Sequence, residues 1–587
     1  MALQFESNLQ NLVYQVDSGA SRKIIQAVLF ALFAFAMAAL YTFANFQGLK
    51  NARAMEEAQL ARNLAERGQF ITQCVRPYSM ARVAARTPDG TAAVFAHPDL
   101  LHPPLWPAIL AGTFRLGGMP KPGVPTTLHV YTWDYVPVAL NHFFTALSAL
   151  LVWLIGRRLF DQRVGALSVG AFLLSDLVWR QSLAGTDWAA ALFFGLGAVY
   201  AALGLVKLPP GIGPQDDQGP AWRWLVPLVL ASLLAAAAFL TRYAAGGFTL
   251  LVFLFIGTSR RRRPWAKACL FALLAFLCVA PWLARNLAVS GNPFGLLFQE
   301  ALAGTITLYP GDALARSIHP DLPAAGTIAF AIQVKMIENL REFLAGGVGS
   351  ADTALLLGLF AAMYFHRFVR PASRALRWCL LPAAALVLLS ATAFGPESLP
   401  ALAFFWPLAI PYAWAFFLVL LDRLQFDLRF FPAAAMSAVL AVTALPLLVN
   451  VLPPRTGMPY PPYFHRYIGW ITSMVQSDEC LVTDIPWAAA WYGGKAAIWL
   501  PKDIDDFYEI DGKFQKISLA YFTTVTRDKP WVRGLSDPDA PEYSWYQIFA
   551  AGKVPVNFPL AHGRYAAGND QMILADRPRW LDPAARP

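Results

Sequence analysis

Long apolar runs separated by short basic stretches occupy the first 452 residues. Crossing a hydrocarbon core takes roughly 17–25 apolar residues, fewer where the ends are semi-polar. Eleven runs meet that need, at about 24–46, 137–156, 164–181, 188–206, 224–241, 243–258, 266–284, 352–366, 378–395, 400–421 and 431–452. The first is too long for a removed signal peptide, and no small-residue cleavage site flanks it. From 453 onward the pattern changes. Glu479–Asp484 and Ala496–Leu500 read as strands, with a helical Ile485–Tyr492 and a Gly493-Gly494 turn between them. The predicted fold is therefore an all-α polytopic membrane protein of about eleven transmembrane helices over 1–452. A small C-terminal α/β domain outside the membrane follows at 453–587.

Composition agrees. Of 587 residues, 57% are hydrophobic and 14% charged, and the mean hydropathy is +0.44. Soluble domains carry about 25% charged residues. The net charge of +10 points to nucleic acid only until it is located. Residues 453–587 hold 14 of the 47 Lys and Arg and 15 of the 37 Asp and Glu, which leaves 33 against 22 in the membrane part. That excess serves topology, so no nucleic-acid partner is expected. Basic clusters at Arg22-Lys23, Arg157-Arg158 with Arg163, Arg260–Arg263, Arg367–Arg377 and Arg423–Arg429 fall on one side if the N-terminus is cytoplasmic. An odd span count then puts the C-terminal region outside an inner (plasma) membrane. The five cysteines show neither a metal spacing nor a disulfide framework. A Cys74–Cys480 bridge or two ordinary thiols are the readings for the pair outside the apolar runs.

Two outer segments are long, 47–136 and 285–351. The second contains Val334–Phe343, which reads as an amphipathic helix on the membrane surface. The first holds Arg53, Arg62, Arg67, Arg76, Arg82 and Arg86, against the charge rule, and that invites a functional reason. Its opening stretch, Ala54–Gly68, has helical periodicity with Gly68 as a C-terminal cap. Glu56, Gln59, Arg62, Asn63, Glu66 and Arg67 share one polar arc, whereas Glu57 projects among Leu60, Ala61 and Leu64. A carboxylate on an apolar face needs a partner or a raised pKa. The plain alternative is a solvated acidic first turn. His97-Pro98-Asp99 and His102-Pro103-Pro104-Leu105 make a stiff turn and match no standard metal spacing. Asp187, Arg242 and Arg285-Asn286 stand at outer ends of spans. Two arginines there could clamp a phosphate, and snorkelling to lipid is the alternative for each.

The chain resembles the polytopic GT-C glycosyltransferases, which include the protein O-mannosyltransferases and the lipid A aminoarabinose transferase. The resemblance rests on Glu56–Asn63, His102–Leu105, Leu240–Tyr243, Pro281–Asn286 with Gly291–Phe294, and Val482–Pro486 through Trp491–Lys495 to Trp499–Pro501. It implies an inverting transferase that takes a sugar from a polyprenyl-phosphate donor at the outer face and passes it to a glycan, lipid or protein acceptor. Carried over, Glu56 falls where many bacterial relatives have Asp, with Glu57 the neighbouring catalytic candidate and Asp187 the second loop carboxylate. Arg62, His102, Arg242, Arg285 and Asn286 would bind substrate. No residue set is assigned to a metal and no cofactor is firm, a divalent ion staying open. The chain departs from the family pattern in the Asp-to-Glu change. It departs again at Arg53-Ala54, where some relatives carry an Asp-Glu pair. A non-catalytic homologue and a polyprenyl-lipid transporter or flippase are the rival readings.

Overall fold

The computed structural model describes residues 20–90, 93–123, 130–205, 222–259, 263–297, 314–320, 325–342, 351–394, 403–424, 430–452, 464–527, 534–566 and 570–581. Helix α1 (Ala20–Asn45) leads into a long segment carrying α2 (Ala52–Arg67), α3 (Pro77–Ala84) and α4 (Leu105–Gly117). The bundle continues with α5 (Tyr135–Leu159), α6 (Gln162–Leu173), α7 (Asp176–Leu183), α8 (Trp188–Leu203), α9 (Trp222–Thr241), α10 (Gly246–Gly257) and α11 (Pro264–Ser290). After α12 (Ala325–Glu342) come α13 (Ala351–Ala362), α14 (Pro371–Phe394), α15 (Trp406–Leu424) and α16 (Phe431–Val451). Among the described residues, seven helices are long and apolar enough to cross a membrane: α1, α5, α9, α11, α14, α15 and α16. Helices α8, α10 and α13 are shorter apolar elements.

The run at 164–181 is not one span. Leu174 ends α6, and Ser175 sits in extended backbone (φ −80°, ψ 123°) ahead of α7. Ser175 makes no side-chain cap bond, so the restart goes with the partners of Asp176. Asp176 then accepts from the Tyr41 hydroxyl of α1 at 3.0 Å and from Arg180 Nε at 2.8 Å. Helices α5 and α6 meet through Gly156 and Gly165. A Cβ on Gly165 would press on the backbone of Trp153 and Arg157 at 2.8–3.0 Å, so only glycine permits this approach. The basic triplet 260–262 lies outside the described residues.

Among the described residues, eight strands accompany the helices. In the first long segment lie β1 (Ile71–Thr72), β2 (Cys74–Val75) and β3 (His97–Pro98). The tail supplies β4 (Cys480–Thr483), β5 (Ala497–Trp499), β6 (Ile517–Phe522), β7 (His562–Ala566) and β8 (Gln571–Ala575). The main sheet runs β2-β5-β4-β6-β8-β7, parallel from β2 to β6 and antiparallel beyond. Strands β4, β5 and β6 are buried at every residue, as parallel strands covered on both faces must be. The sheet is not built from the tail alone. Its edge strand β2 comes from the segment after α1, pairing Cys74 with Ala497 and Val75 with Ile498. All five cysteines are free thiols.

Candidate active site

Helix α2 begins at the extended cap Asn51, whose side chain accepts from Arg53 N. It ends at Gly68 in the left-handed region (φ 68°). Ten consecutive residues, Ala54 to Asn63, are buried, so the polar arc faces protein as far as Asn63, and Glu66 and Arg67 beyond it are exposed. Gln59 donates to Thr72 Oγ1 at 2.8 Å and accepts from Gln73 N at 3.1 Å. Asn63 donates to the Ile71 carbonyl at 2.9 Å. Arg62 donates to the carbonyls of Ala490 (2.7 Å) and Trp491 (2.9 Å) and to Gln73 Oε1 (2.8 Å). These bonds satisfy groups that burial would otherwise leave unpaired, and they tie α2 to β1, β2 and the tail.

That anchorage fixes what the two glutamates see. The β1–β3 ribbon pairs Thr72 with His97 and Ile71 with Pro98, which delivers Asp99 and His102 beside Glu56. Arg76 Nη2 donates to both Glu56 oxygens at 2.9 Å. His102 Nε2 lies 3.3 Å from Glu56 Oε2, and its Nδ1 lies 3.1 Å from Asp99 Oδ2. Asp99 Oδ1 also accepts from the backbone of Leu101 and His102 at 3.0 and 2.8 Å. Burial alone would raise the Asp99 carboxyl, but the charge and hydrogen bonds of His102 outweigh it and hold the group at about 2. Burial would lower His102 in turn, and the Asp99 charge, followed by that of Glu56, lifts it to about 9. Behind this cluster Arg285 donates to the Asp99 carbonyl and to Asn286 Oδ1, with its guanidinium 4.9 Å from the Trp282 ring centre. Asn286 donates to the Pro293 carbonyl at 3.3 Å.

About 100° further round the helix, Glu57 meets different company. Arg53, one turn earlier, donates from Nε to Glu57 Oε1 at 2.9 Å and from Nη2 to Asp187 Oδ2 at 2.8 Å. Arg242 Nη1 donates to Asp187 Oδ1 at 2.8 Å. Asp187 stands at the start of α8, and Arg242 in the extended link after α9, so three parts of the bundle converge. Glu57 Oε2 is buried and has no hydrogen-bond partner among the described residues. Burial, reinforced by the Asp187 charge, pushes Glu57 up to about 8 against the pull of Arg53, His102 and Arg242.

Residues 135–284 match the family profile described as dolichyl-phosphate-mannose-protein mannosyltransferase. Three solved structures superpose over most of the chain. An oligosaccharyltransferase of Archaeoglobus fulgidus, in complex with zinc and sulfate, gives a TM-score of 0.54 at 11% identity, covering 87% of this chain and 70% of its own. ArnT from Cupriavidus metallidurans, bound to undecaprenyl phosphate, gives 0.53 at 12% identity over 96% and 99%. The oligosaccharyltransferase AglB of Archaeoglobus fulgidus, with an inhibitory peptide and a dolichol-phosphate, gives 0.50 at 12% identity over 95% and 75%. The fold is that of the GT-C glycosyltransferases. No curated protein matches by sequence.

Within the GT-C fold the nominated residues separate into groups. Glu56 and His102 share one cluster, and Glu57, Asp187 and Arg242 another. Arg285 and Asn286 form a third layer behind Asp99, so Arg242 and Arg285 engage different partners. Arg62 lies buried at the joint with the tail, where its two terminal nitrogens donate to backbone carbonyls and Gln73. The solvated reading of Glu56 and Glu57 fails too, as they are 4% and 1% exposed. Sequence reasoning missed Arg53, Arg76 and Asp99 as site residues. The i, i+4 spacing of Arg53 and Glu57 was a usable signal. For Arg76 the surplus of arginines in its segment was the one hint. The loop Gly291–Phe294 owes its position to Gly295 (φ +63°), where a Cβ would collide with the Leu100 carbonyl.

Proposed function

We propose that this chain is a membrane glycosyltransferase that moves a sugar from a polyprenyl-phosphate carrier to an acceptor hydroxyl with inversion. The observation that carries the reading is Glu57, a buried carboxylate with one oxygen uncommitted among the described residues, set where three parts of the bundle converge. The acceptor oxygen attacks the anomeric carbon as the bond from that carbon to the phosphate oxygen breaks. The phosphate leaves with the electron pair, and the acceptor proton passes to Glu57. A base whose pKa lies near the working pH suits that role. Glu56, held by Arg76 and His102, positions the site, and Arg242 and Arg285 supply positive charge for the departing phosphate. The undecaprenyl phosphate and dolichol-phosphate bound by the similar structures support a lipid-linked donor. The basic-loop pattern supports a cytoplasmic N-terminus and an outer-face site.

The test is incubation of the reconstituted protein with a panel of polyprenyl-phosphate sugars and membrane acceptors, followed by mass analysis. Release of polyprenyl phosphate with a glycosylated product is expected, and Glu57→Gln should abolish it. No product from any donor would count against the reading. A reporter fused after residue 460 should be active outside the cytoplasm alone, and a cytoplasmic signal would contradict the topology.

A further inference from the structure

Zinc accompanies one of the similar structures, so the residues present here can be asked whether they fit a divalent ion. Such an ion needs several lone pairs aimed at one point, at about 2.0–2.6 Å. Among the described residues, no group of three or more His, Cys, Asp and Glu side chains is placed to hold one. The cause is visible in the pairings. Glu57 Oε1 and Asp187 Oδ2 both accept from Arg53, and Asp187 Oδ1 accepts from Arg242. Glu56 and Asp99 are taken by Arg76, by backbone N–H groups and by the two ring nitrogens of His102. One oxygen, Glu57 Oε2, is left over, and one oxygen does not make a metal site.

We propose that the Arg53 guanidinium occupies, between Glu57 and Asp187, the place a divalent cation would take in a two-carboxylate site, so that this chain binds no metal there. Two properties of the group support this. A guanidinium is a planar fork of donors that can reach two carboxylates at once, as Arg53 does with Nε and Nη2. With both carboxylates ionised, charge also closes without a metal, since two carboxylates face two guanidiniums. Asp187 is fully buried, and Glu57 and Arg242 are 1% and 4% exposed. A further double positive charge would stand there uncompensated.

The binding half of this proposal stands on geometry alone, and its extension to metal-free sugar transfer rests on the function proposed above. The experiment titrates purified full-length protein with Mn²⁺ and Zn²⁺ by calorimetry and by thermal melting. Wild type should give no saturable heat and an unshifted melt, with or without EDTA. Arg53→Asp, which adds a third carboxylate beside Glu57 and Asp187, should gain saturable one-to-one Mn²⁺ binding that Glu57→Gln in the same chain removes. Saturable binding by wild type that Asp187→Asn abolishes would overturn the proposal, and that arm decides the matter even if Arg53→Asp does not fold. In the transfer assay, EDTA should leave wild-type turnover unchanged. Turnover lost in EDTA and restored by Mn²⁺ would refute the proposal. Absence of turnover with every donor would refute the transferase reading and leave the binding result standing.

Discussion

Two consecutive glutamates of one helix have opposite surroundings. Glu56 faces partners drawn from its own segment of chain, Arg76, Asp99 and His102, and both its oxygens are engaged. Glu57 is bonded to Arg53, which links it to Asp187 and so to Arg242 in distant parts of the bundle, and it keeps one oxygen unengaged among the described residues. Residue type alone does not decide what a carboxylate does. A rotation of about 100° along α2 puts one glutamate in a saturated charge network and its neighbour in an open one. The first arrangement holds a shape, and the second can accept a proton.

The contrast can be attacked first through stability. Glu56→Gln removes the carboxylate that Arg76 and His102 share, leaving His102 with Asp99, and removing one partner of a buried pair costs about 3 kcal/mol. Glu57→Gln removes a carboxylate with an unsatisfied oxygen and should stay within about 1 kcal/mol of wild type. Thermal melting in detergent measures both. Equal losses would erase the distinction between the two sides.

Arg62→Met tests the anchorage that both sides share. It strips three hydrogen bonds from the joint of α2 with β2 and the tail, at a cost of about 2 kcal/mol or more. Limited proteolysis of the tail should accelerate, with Glu56 and Glu57 still present. An unchanged cleavage rate would mean that the tail does not depend on α2.

How much of this was open to sequence reasoning depends on the range of each interaction. The apolar runs gave helices because burying or solvating a long apolar stretch is a local matter. The 164–181 run misled because Asp176, inside apolar sequence, meets Tyr41 of a helix far away in the chain. The α2 boundaries were legible from Gly68, and Glu57 from the helical wheel. The burial of α2 was not, because its cover, Ala490 and Trp491, lies more than four hundred residues away in the chain. The same distance hid the pairing of β2 with β5. His102 was nominated through family likeness, and the residues alone suggested mere punctuation. Its role became plain only once β1 and β3 had placed it between two carboxylates.

The closed side should also respond to pH in a fixed direction. The His102 pKa is raised above its ordinary 6.5, so its contribution is complete below pH 6.5 and lost as pH climbs through about 9. The Asp99 pKa is lowered from 3.8, so its contribution is present above pH 3.8 and lost as pH falls through about 2. The melting difference between wild type and His102→Gln should therefore narrow as pH rises from 6.5 toward 9. A constant difference over that window would contradict the ion pair. The smallest effect is expected at Cys74, whose thiol lies 3.6 Å from Glu56 Oε1. Cys74→Ala should cost about 1 kcal/mol and leave Glu56 in place.

The two glutamates meet their most direct test in a side-by-side measurement of turnover. Glu56→Gln and Glu57→Gln would be reconstituted in proteoliposomes with a polyprenyl-phosphate sugar accepted by wild type, and product formation followed from pH 6 to 9. Wild-type turnover should rise as pH approaches the Glu57 value of about 8, and Glu57→Gln should fall by about a hundredfold or more at every pH. Full turnover in Glu57→Gln beside an inactive but folded Glu56→Gln would contradict the account, and would move the proton-accepting role to Glu56.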